Sequence, residues 1–132
     1  MLRHLNIALC ILMLFFAVVQ YNDPDRLLWI TIYTASATAA GLVGFFPQQT
    51  AKTSILALYF LAIIASIGTT FFFWPQTPKF WYQEVWWNNE TVREGIGMMI
   101  VTIILVVTFM SVWCENKRIA NSTEMKQKRL KH

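Results

Sequence analysis

The stretch that decides the fold is LLWITIYTASATAAGLVGFFPQQTA, residues 27–51, which contains no Asp, Glu, Lys or Arg. After Lys52 a second charge-free stretch, TSILALYFLAIIASIGTTFFFWPQTP, occupies residues 53–78. Charged residues make up 14% of the chain, against roughly 25% in an ordinary soluble domain. A soluble domain of 132 residues cannot bury this much apolar surface. The composition excludes a soluble enzyme, a disordered chain and a nucleic-acid-binding module, and it indicates an integral membrane protein.

Four apolar segments are long enough to cross a bilayer, which takes about 20 residues of helix. We predict spanning helices at about residues 5–21, 27–46, 53–74 and 95–113. No site suited to signal-peptide cleavage follows the first segment, so we expect it to be retained. Helices satisfy their own backbone hydrogen bonds in lipid, and no alternating pattern suggests a barrel. The prediction is an all-α, integral membrane four-helix bundle in a single domain.

The basic residues predict the orientation of the bundle, because Lys and Arg are concentrated in cytoplasmic loops. If both termini are cytoplasmic, only Arg26, Lys79 and Arg93 of the eleven basic residues lie outside. The short connections 22–26 and 47–52 allow only tight turns between antiparallel neighbours. We therefore expect an up-down bundle with both termini in the cytoplasm, in a bacterial inner membrane.

Two segments outside the spans differ from them in composition. Residues 75–94 are rich in aromatic side chains, and we expect a short amphipathic helix there in the outer interface. The alternative is that this aromatic surface docks a protein or a lipid. Residues 114–132 form a predicted cytoplasmic basic tail next to anionic inner-leaflet lipid. Indole rings favour the headgroup layer, so we assign as outer interfacial anchors Trp29, Trp81, Trp86 and Trp87.

Small residues recur at four-residue spacing in the second and third segments. They are Ala37 and Gly41, Ala40 and Gly44, and Ala62, Ser66 and Thr70. Small side chains let helix backbones approach closely in lipid. We expect these two stripes to face each other.

The predicted spans carry little reactive chemistry. No Asp, Glu, Lys, Arg or His lies near the middle of a span, which argues against pumps, channels and coupled transporters. Both histidines, His4 and His132, are terminal, so we predict no haem and no His-based metal centre. Cys10 and Cys114 lie toward the reducing cytoplasmic side, where a disulfide is not expected. We predict no cofactor.

Two polar clusters, residues 20–26 and 90–94, fall on the predicted outer side. Each has a local explanation, since Asp23 suits the N-cap of the second helix, and Thr91 with Glu94 has the spacing of a capping box. If the two clusters meet, Arg93 would pair with Asp23 or Asp25. Such a group could lock the bundle, hold a divalent cation or bind a lipid headgroup. The candidate binding residues are Asn22, Asp23, Asp25, Glu90, Arg93 and Glu94.

The same clusters carry a family resemblance. Residues 19–25, VQYNDPD, are followed by Leu28-Trp29-Ile30 and Tyr33-Thr34, and this stretch resembles the transmembrane protein 220 family. The pattern Glu90-x-x-Arg93-Glu94 leading to Gly97 is similar to a second stretch of that family. This chain departs at Arg26-Leu27, where the family often has a small residue or proline. The resemblance implies a small polytopic membrane protein and brings no activity, substrate or cofactor with it.

Two hypotheses about function follow. The first is a non-catalytic membrane subunit or accessory protein, which binds a protein partner or lipid through the outer cluster and the aromatic connection. The alternative is a membrane enzyme, or a protein that binds a ligand or metal, acting on a lipid headgroup at the carboxylates. A deep cleft with converging carboxylates would favour the alternative. A flat aromatic face with Arg93 saturated by Asp pairs would favour the first.

Overall fold

The computed structural model of the protein describes residues 1–130, so the last two residues of the predicted tail, 131–132, lie outside the described part. The described chain folds into helices and the turns between them. The helices are α1 (Leu2–Val19), α2 (Arg26–Phe45), α3 (Pro47–Thr50), α4 (Thr53–Phe72), α5 (Gln83–Asn88) and α6 (Glu90–Leu130). A single 3-10 turn, Gln20–Asn22, follows α1.

Four of these helices, α1, α2, α4 and α6, are long and apolar enough to cross a membrane. Many large apolar side chains point away from the bundle, and Phe72, for example, is 84% exposed. Water would make such exposure costly, whereas lipid accommodates it. The chain is therefore an integral membrane protein with a helical core and an apolar outer surface.

The bundle interior contains two apolar clusters. The larger one lies between α1, α2 and α6 and includes Met13, Trp29, Tyr33, Val101 and Ile104. The smaller one joins α2, α4 and α6 through Val43, Tyr59 and Val112. Helix α2 therefore lies at the centre of the packing.

The small-residue stripes do not face each other as expected. Gly44 of α2 packs against α1, because a Cβ added there would lie 2.7 Å from Cγ1 of Ile7. The stripe of α4 turns toward α6, where Thr70 and Thr102 share a hydrogen bond of 3.0 Å between their hydroxyls. Each stripe allows a close helix contact, but the partner is α1 for one stripe and α6 for the other.

Contacts between distant residues define two ends of the bundle. At the basic end, which carries Arg3, Lys52 and Arg118, the Arg3 Nε donates to the carbonyl of Gly44 at 3.2 Å. The Asn116 amide donates to the carbonyl of Ala51 at 3.0 Å at the same end. The carboxylate end carries Asp23, Glu90 and Glu94, and there the indole of Trp29 donates to Glu94 at 3.2 Å.

Helix α6 is much longer than the predicted span of residues 95–113. It begins at Glu90 and continues through the predicted tail to Leu130, a run of 41 residues. At ~1.5 Å per residue it measures about 60 Å, twice the thickness of the hydrocarbon core. Hydropathy marks where a helix leaves lipid, but the charged residues after Trp113 are good helix formers and do not end the helix.

A ligand-sized cavity at the carboxylate end

A cavity of about 330 Å³ opens at the carboxylate end, where the end of α1, the start of α2, α5 and the start of α6 meet. We call it the carboxylate cavity. It is lined by Val19, Gln20, Asp23, Trp29, Tyr33, Trp87, Glu90, Arg93 and Glu94. Residues far apart in sequence thus converge on one space, which is the size of a small ligand.

The first turns of α6 bring three of the charged side chains to the cavity. Helix α6 begins after Asn89, whose side-chain Oδ1 accepts a hydrogen bond from the backbone N–H of Val92 at 3.3 Å. This is an N-cap bond, so the cap is Asn89 rather than the predicted box of Thr91 and Glu94. The cap leaves the Glu94 side chain available for the cavity.

The segment after α4 crosses directly over this part of α6. A Cβ added at Gly95 would lie 2.5 Å from the Phe73 carbonyl oxygen and 2.8 Å from the ring of Pro75. Only glycine permits this approach. The crossing fixes the start of α6 and holds residues 90–94 against the first turns of α2.

Trp29 and Glu94 join the two helices inside the cavity. The Trp29 Nε1–H donates to Glu94 Oε1 at 3.2 Å, and the indole is only 2% exposed. The ring also packs against Tyr33 and Phe73, with centroid distances of 5.8 and 5.5 Å. The expectation that Trp29 anchors the outer interface is therefore wrong, because its ring lies in the interior and its N–H is used by Glu94.

Arg93 does not form the predicted ion pair. Its Nη1 donates to the backbone carbonyl of Trp87 at 2.9 Å, and it makes no other hydrogen bond to a described residue. The ion pair found in the described part of the chain is Arg118 with Glu115, at the other end of the bundle. Helix α5 supplies the carbonyl that orients Arg93, and the rest of its guanidinium faces the cavity and solvent.

The cavity contains four of the six predicted binding residues. Asp23, Glu90, Arg93 and Glu94 line it. The other two, Asn22 and Asp25, are exposed and are not among its lining residues. Asp25 rather than Asp23 is the N-cap residue of α2, and no side-chain bond supports this cap.

The aromatic residues of the connection have different surroundings. Trp87 of α5 lines the cavity and is 66% exposed, and Trp86 beside it is half-buried. Trp81 is exposed and lies in the non-helical part of the connection. The predicted amphipathic helix is therefore restricted to residues 83–88.

Sequence reasoning missed two lining residues, Gln20 and Tyr33. Tyr33 lies one turn after Trp29, on the same face of α2, and a spacing of four residues could have placed it there. Gln20 belongs to the 3-10 turn after α1, which hydropathy does not detect.

The charge in the cavity is predominantly negative, since three carboxylates face one guanidinium. Two indole rings and a phenol ring complete the lining. Carboxylates attract a cation, and the faces of Trp and Tyr rings do the same. In residues 1–130 no three His, Cys, Asp or Glu side chains are close enough together to hold a metal ion. The arrangement is therefore suited to an organic cation.

Comparison with known proteins gives one match. The sequence profile of the family described as "Transmembrane family 220, helix" matches residues 12–110. The matched region includes α2, α4, the aromatic connection and every residue of the carboxylate cavity. No solved structure matches the chain.

Proposed function

The chain belongs to transmembrane family 220, and from that premise we propose that it is a non-catalytic membrane protein that binds the headgroup of an ammonium-bearing phospholipid in the carboxylate cavity. The observation that carries the proposal is the convergence of three carboxylates, three aromatic rings and one free guanidinium edge on a single ligand-sized space.

The ammonium group of the headgroup would occupy the inner part of the cavity. Asp23 and Glu94 supply negative charge there, and the rings of Trp29 and Tyr33 form its apolar wall. A cation close to such rings gains about 0.5–2 kcal/mol beyond its attraction to the carboxylates. This combination selects an amine or a quaternary ammonium over a bare metal ion.

The phosphate of the same headgroup would meet Arg93 at the rim. One edge of the guanidinium is held by the Trp87 carbonyl, which leaves N–H groups for a phosphate oxygen. Arginine is well suited to phosphate because its donors lie in one plane. A zwitterionic headgroup therefore matches the cavity at both of its charges.

A lipid ligand fits the cavity better than the protein partner of our first hypothesis. A flat aromatic face with Arg93 saturated by Asp23 or Asp25 would have favoured a docking protein. Instead the aromatic rings and carboxylates surround a space, and Arg93 has no carboxylate partner among the described residues. The lining includes no Ser, Cys or His to act as a nucleophile, which supports binding over catalysis.

The orientation forms part of the proposal. We place both termini in the cytoplasm and the carboxylate cavity on the outer side, in an up-down bundle. The hydrogen bonds from Arg3 to Gly44 and from Asn6 to Ser111 support this arrangement, since they join the start of α1 to the end of α2 and to the far part of α6. The basic end then faces the inner leaflet, where anionic lipid attracts Lys and Arg.

Native mass spectrometry of the full chain in detergent tests the binding site. We expect phosphatidylethanolamine to bind more tightly than phosphatidylmethanol, which has the phosphate but no ammonium. Asp23→Asn removes a carboxylate from the cavity and should weaken phosphatidylethanolamine binding about tenfold, as for loss of a charged hydrogen-bond partner. The matched control is Asp25→Asn, two residues away and outside the cavity, which should leave binding unchanged.

Two results would contradict the proposal. One is equal binding of the two lipids to the parent chain. The other is an equal loss of phosphatidylethanolamine binding in Asp23→Asn and Asp25→Asn, because a general charge effect at this end, rather than the cavity, would then be responsible.

A further inference from the structure

A second cavity, of about 550 Å³, lies at the basic end, where α1, α3 and α6 meet. We call it the basic-end cavity. Its polar lining includes Arg3, Asn6, Gln48, Ser111, Glu115 and Arg118. It shares no residue with the carboxylate cavity and plays no part in the function proposed above.

Asn6 is the unusual residue of this cavity. Its side chain is fully buried, and its amide N–H groups donate to the Leu2 carbonyl and to Ser111 Oγ, both at 2.8 Å. Ser111 Oγ in turn donates to the Val107 carbonyl at 3.0 Å, which fixes the direction of the bond from Asn6. The remaining atom, Asn6 Oδ1, has no hydrogen-bond partner.

A buried amide oxygen without a donor is unfavourable by about 1–3 kcal/mol. Native proteins usually satisfy such atoms, so an exception calls for a specific explanation. Asn6 lines the basic-end cavity, and a donor group that enters this cavity would satisfy the oxygen. The atom therefore indicates a ligand that carries a hydroxyl or similar donor.

The charges around the cavity indicate the rest of the ligand. The Arg3 Nε is used by the Gly44 carbonyl, which orients the guanidinium and leaves its terminal N–H groups available. Arg118 shares one nitrogen with Glu115 at 2.8 Å, in an exposed pair that is weak. Two guanidinium groups at one opening favour a phosphate.

We propose that the basic-end cavity binds a phosphate group that carries a neighbouring hydroxyl, with Arg3 and Arg118 on the phosphate and Asn6 Oδ1 accepting from the hydroxyl. Phosphatidylglycerol provides this chemistry from the bilayer, and glycerol 3-phosphate provides it from solution. The position of the cavity, at the end of the apolar spans, favours the lipid.

Native mass spectrometry of the full chain with matched lipids tests the proposal. Phosphatidylglycerol and phosphatidylmethanol have the same charge, but only phosphatidylglycerol has free hydroxyls. We expect phosphatidylglycerol to bind about fivefold more tightly, the effect of one additional hydrogen bond. Glycerol 3-phosphate is the soluble arm, and competition by it at concentrations similar to those of the lipid would assign the site to a soluble ligand.

Variants separate the cavity from the general basic charge of the chain. Arg118→Gln removes a phosphate contact and should weaken phosphatidylglycerol binding about tenfold. Arg129→Gln is the matched control, because Arg129 is equally basic and exposed but lines neither cavity, and binding should not change. Asn6→Leu should abolish the preference for phosphatidylglycerol over phosphatidylmethanol.

Because Asn6→Leu also removes the bond to Ser111, its thermal unfolding is measured without lipid. If that variant does not fold, the lipid preference of the parent and the Arg118→Gln result decide the question. Equal binding of the two lipids to the parent chain would overturn the proposal, since a water molecule would then suffice for Asn6 Oδ1. Equal effects of Arg118→Gln and Arg129→Gln would also overturn it.

Discussion

Gly97 shows how one residue shapes the carboxylate cavity. A Cβ at this position would overlap the Tyr33 hydroxyl and lie 3.5 Å from Cζ3 of Trp29. We expect Gly97→Ala to displace Tyr33, which packs against Phe16 and Trp29 and has little room to move. The predicted loss of stability is about 1–3 kcal/mol, as for other overpacked sites, and thermal unfolding in detergent measures it.

The matched control for Gly97 is Gly68 of α4, where an added Cβ meets nothing within 4 Å. Gly68→Ala should leave the unfolding temperature unchanged or raise it slightly, because alanine favours helix over glycine. If both variants unfold at the parent temperature, Tyr33 and Trp29 do not pack on α6 as described.

At the same scale, the sequence predicted the charged residues of the site better than its walls. Asp23, Glu90, Arg93 and Glu94 were found because they stand out against apolar segments and lie at helix starts on one predicted side. The partner of Arg93 was not predictable, since the Trp87 carbonyl becomes available only through the fold of α5. The interior position of Trp29 depends on the Glu94 carboxylate, 65 residues away.

At the scale of elements, the length of α6 is the feature that differs most from the sequence prediction. Its continuation past Trp113 carries Lys128 about 22 Å along the helix axis, well beyond the Debye length of about 8 Å. Lys117 and Arg118 lie within about 8 Å of Trp113 on the same axis. The residues of the tail that meet anionic lipid are therefore the first ones rather than the whole tail.

Distance measurements test the continuity of α6. Spin labels at Cys114 and at Lys128→Cys, with Cys10 replaced by Ala, are separated by 14 helical residues. We expect a narrow distribution of backbone separations near 21 Å in nanodiscs. A broad distribution with shorter separations would contradict a continuous helix and would return the predicted basic tail to the membrane surface.

The existence of the four long helices was predictable, but their partners were not. Charge-free stretches such as residues 27–51 predict spans because lipid penalises charge. Small-residue stripes predict that a helix packs closely but do not name its neighbour. Gly44 could have faced α4, and only the structure shows that it faces Ile7 of α1.

For the whole molecule, the separation of charge along the bundle is the feature that links the two proposed sites. One end presents the carboxylate cavity, with Asp23, Glu90 and Glu94. The other presents Arg3, Lys52 and Arg118 around the start of α1 and the α3 turn. A lipid headgroup with a positive group at its tip suits the first end, and an anionic headgroup suits the second.

This separation makes a definite prediction about the membrane. Single cysteines are placed in a chain with Cys10→Ala and Cys114→Ser, at the exposed positions Asp25 and Asn88. In spheroplasts, a membrane-impermeant maleimide should label both, because the carboxylate end is proposed to face outward. Cysteines at Lys52 and Lys117, at the basic end, form the opposite set and should react only after permeabilisation, because basic residues are retained in the cytoplasm.

The four positions together separate the possible errors. If all four results are reversed, the bundle is inverted, and the carboxylate cavity would face inner-leaflet lipid. If positions 25 and 88 differ from each other, the start of α2 and the start of α6 lie in different leaflets. Trp29 could then not donate to Glu94, and the carboxylate cavity would not exist, whatever lipid the chain binds.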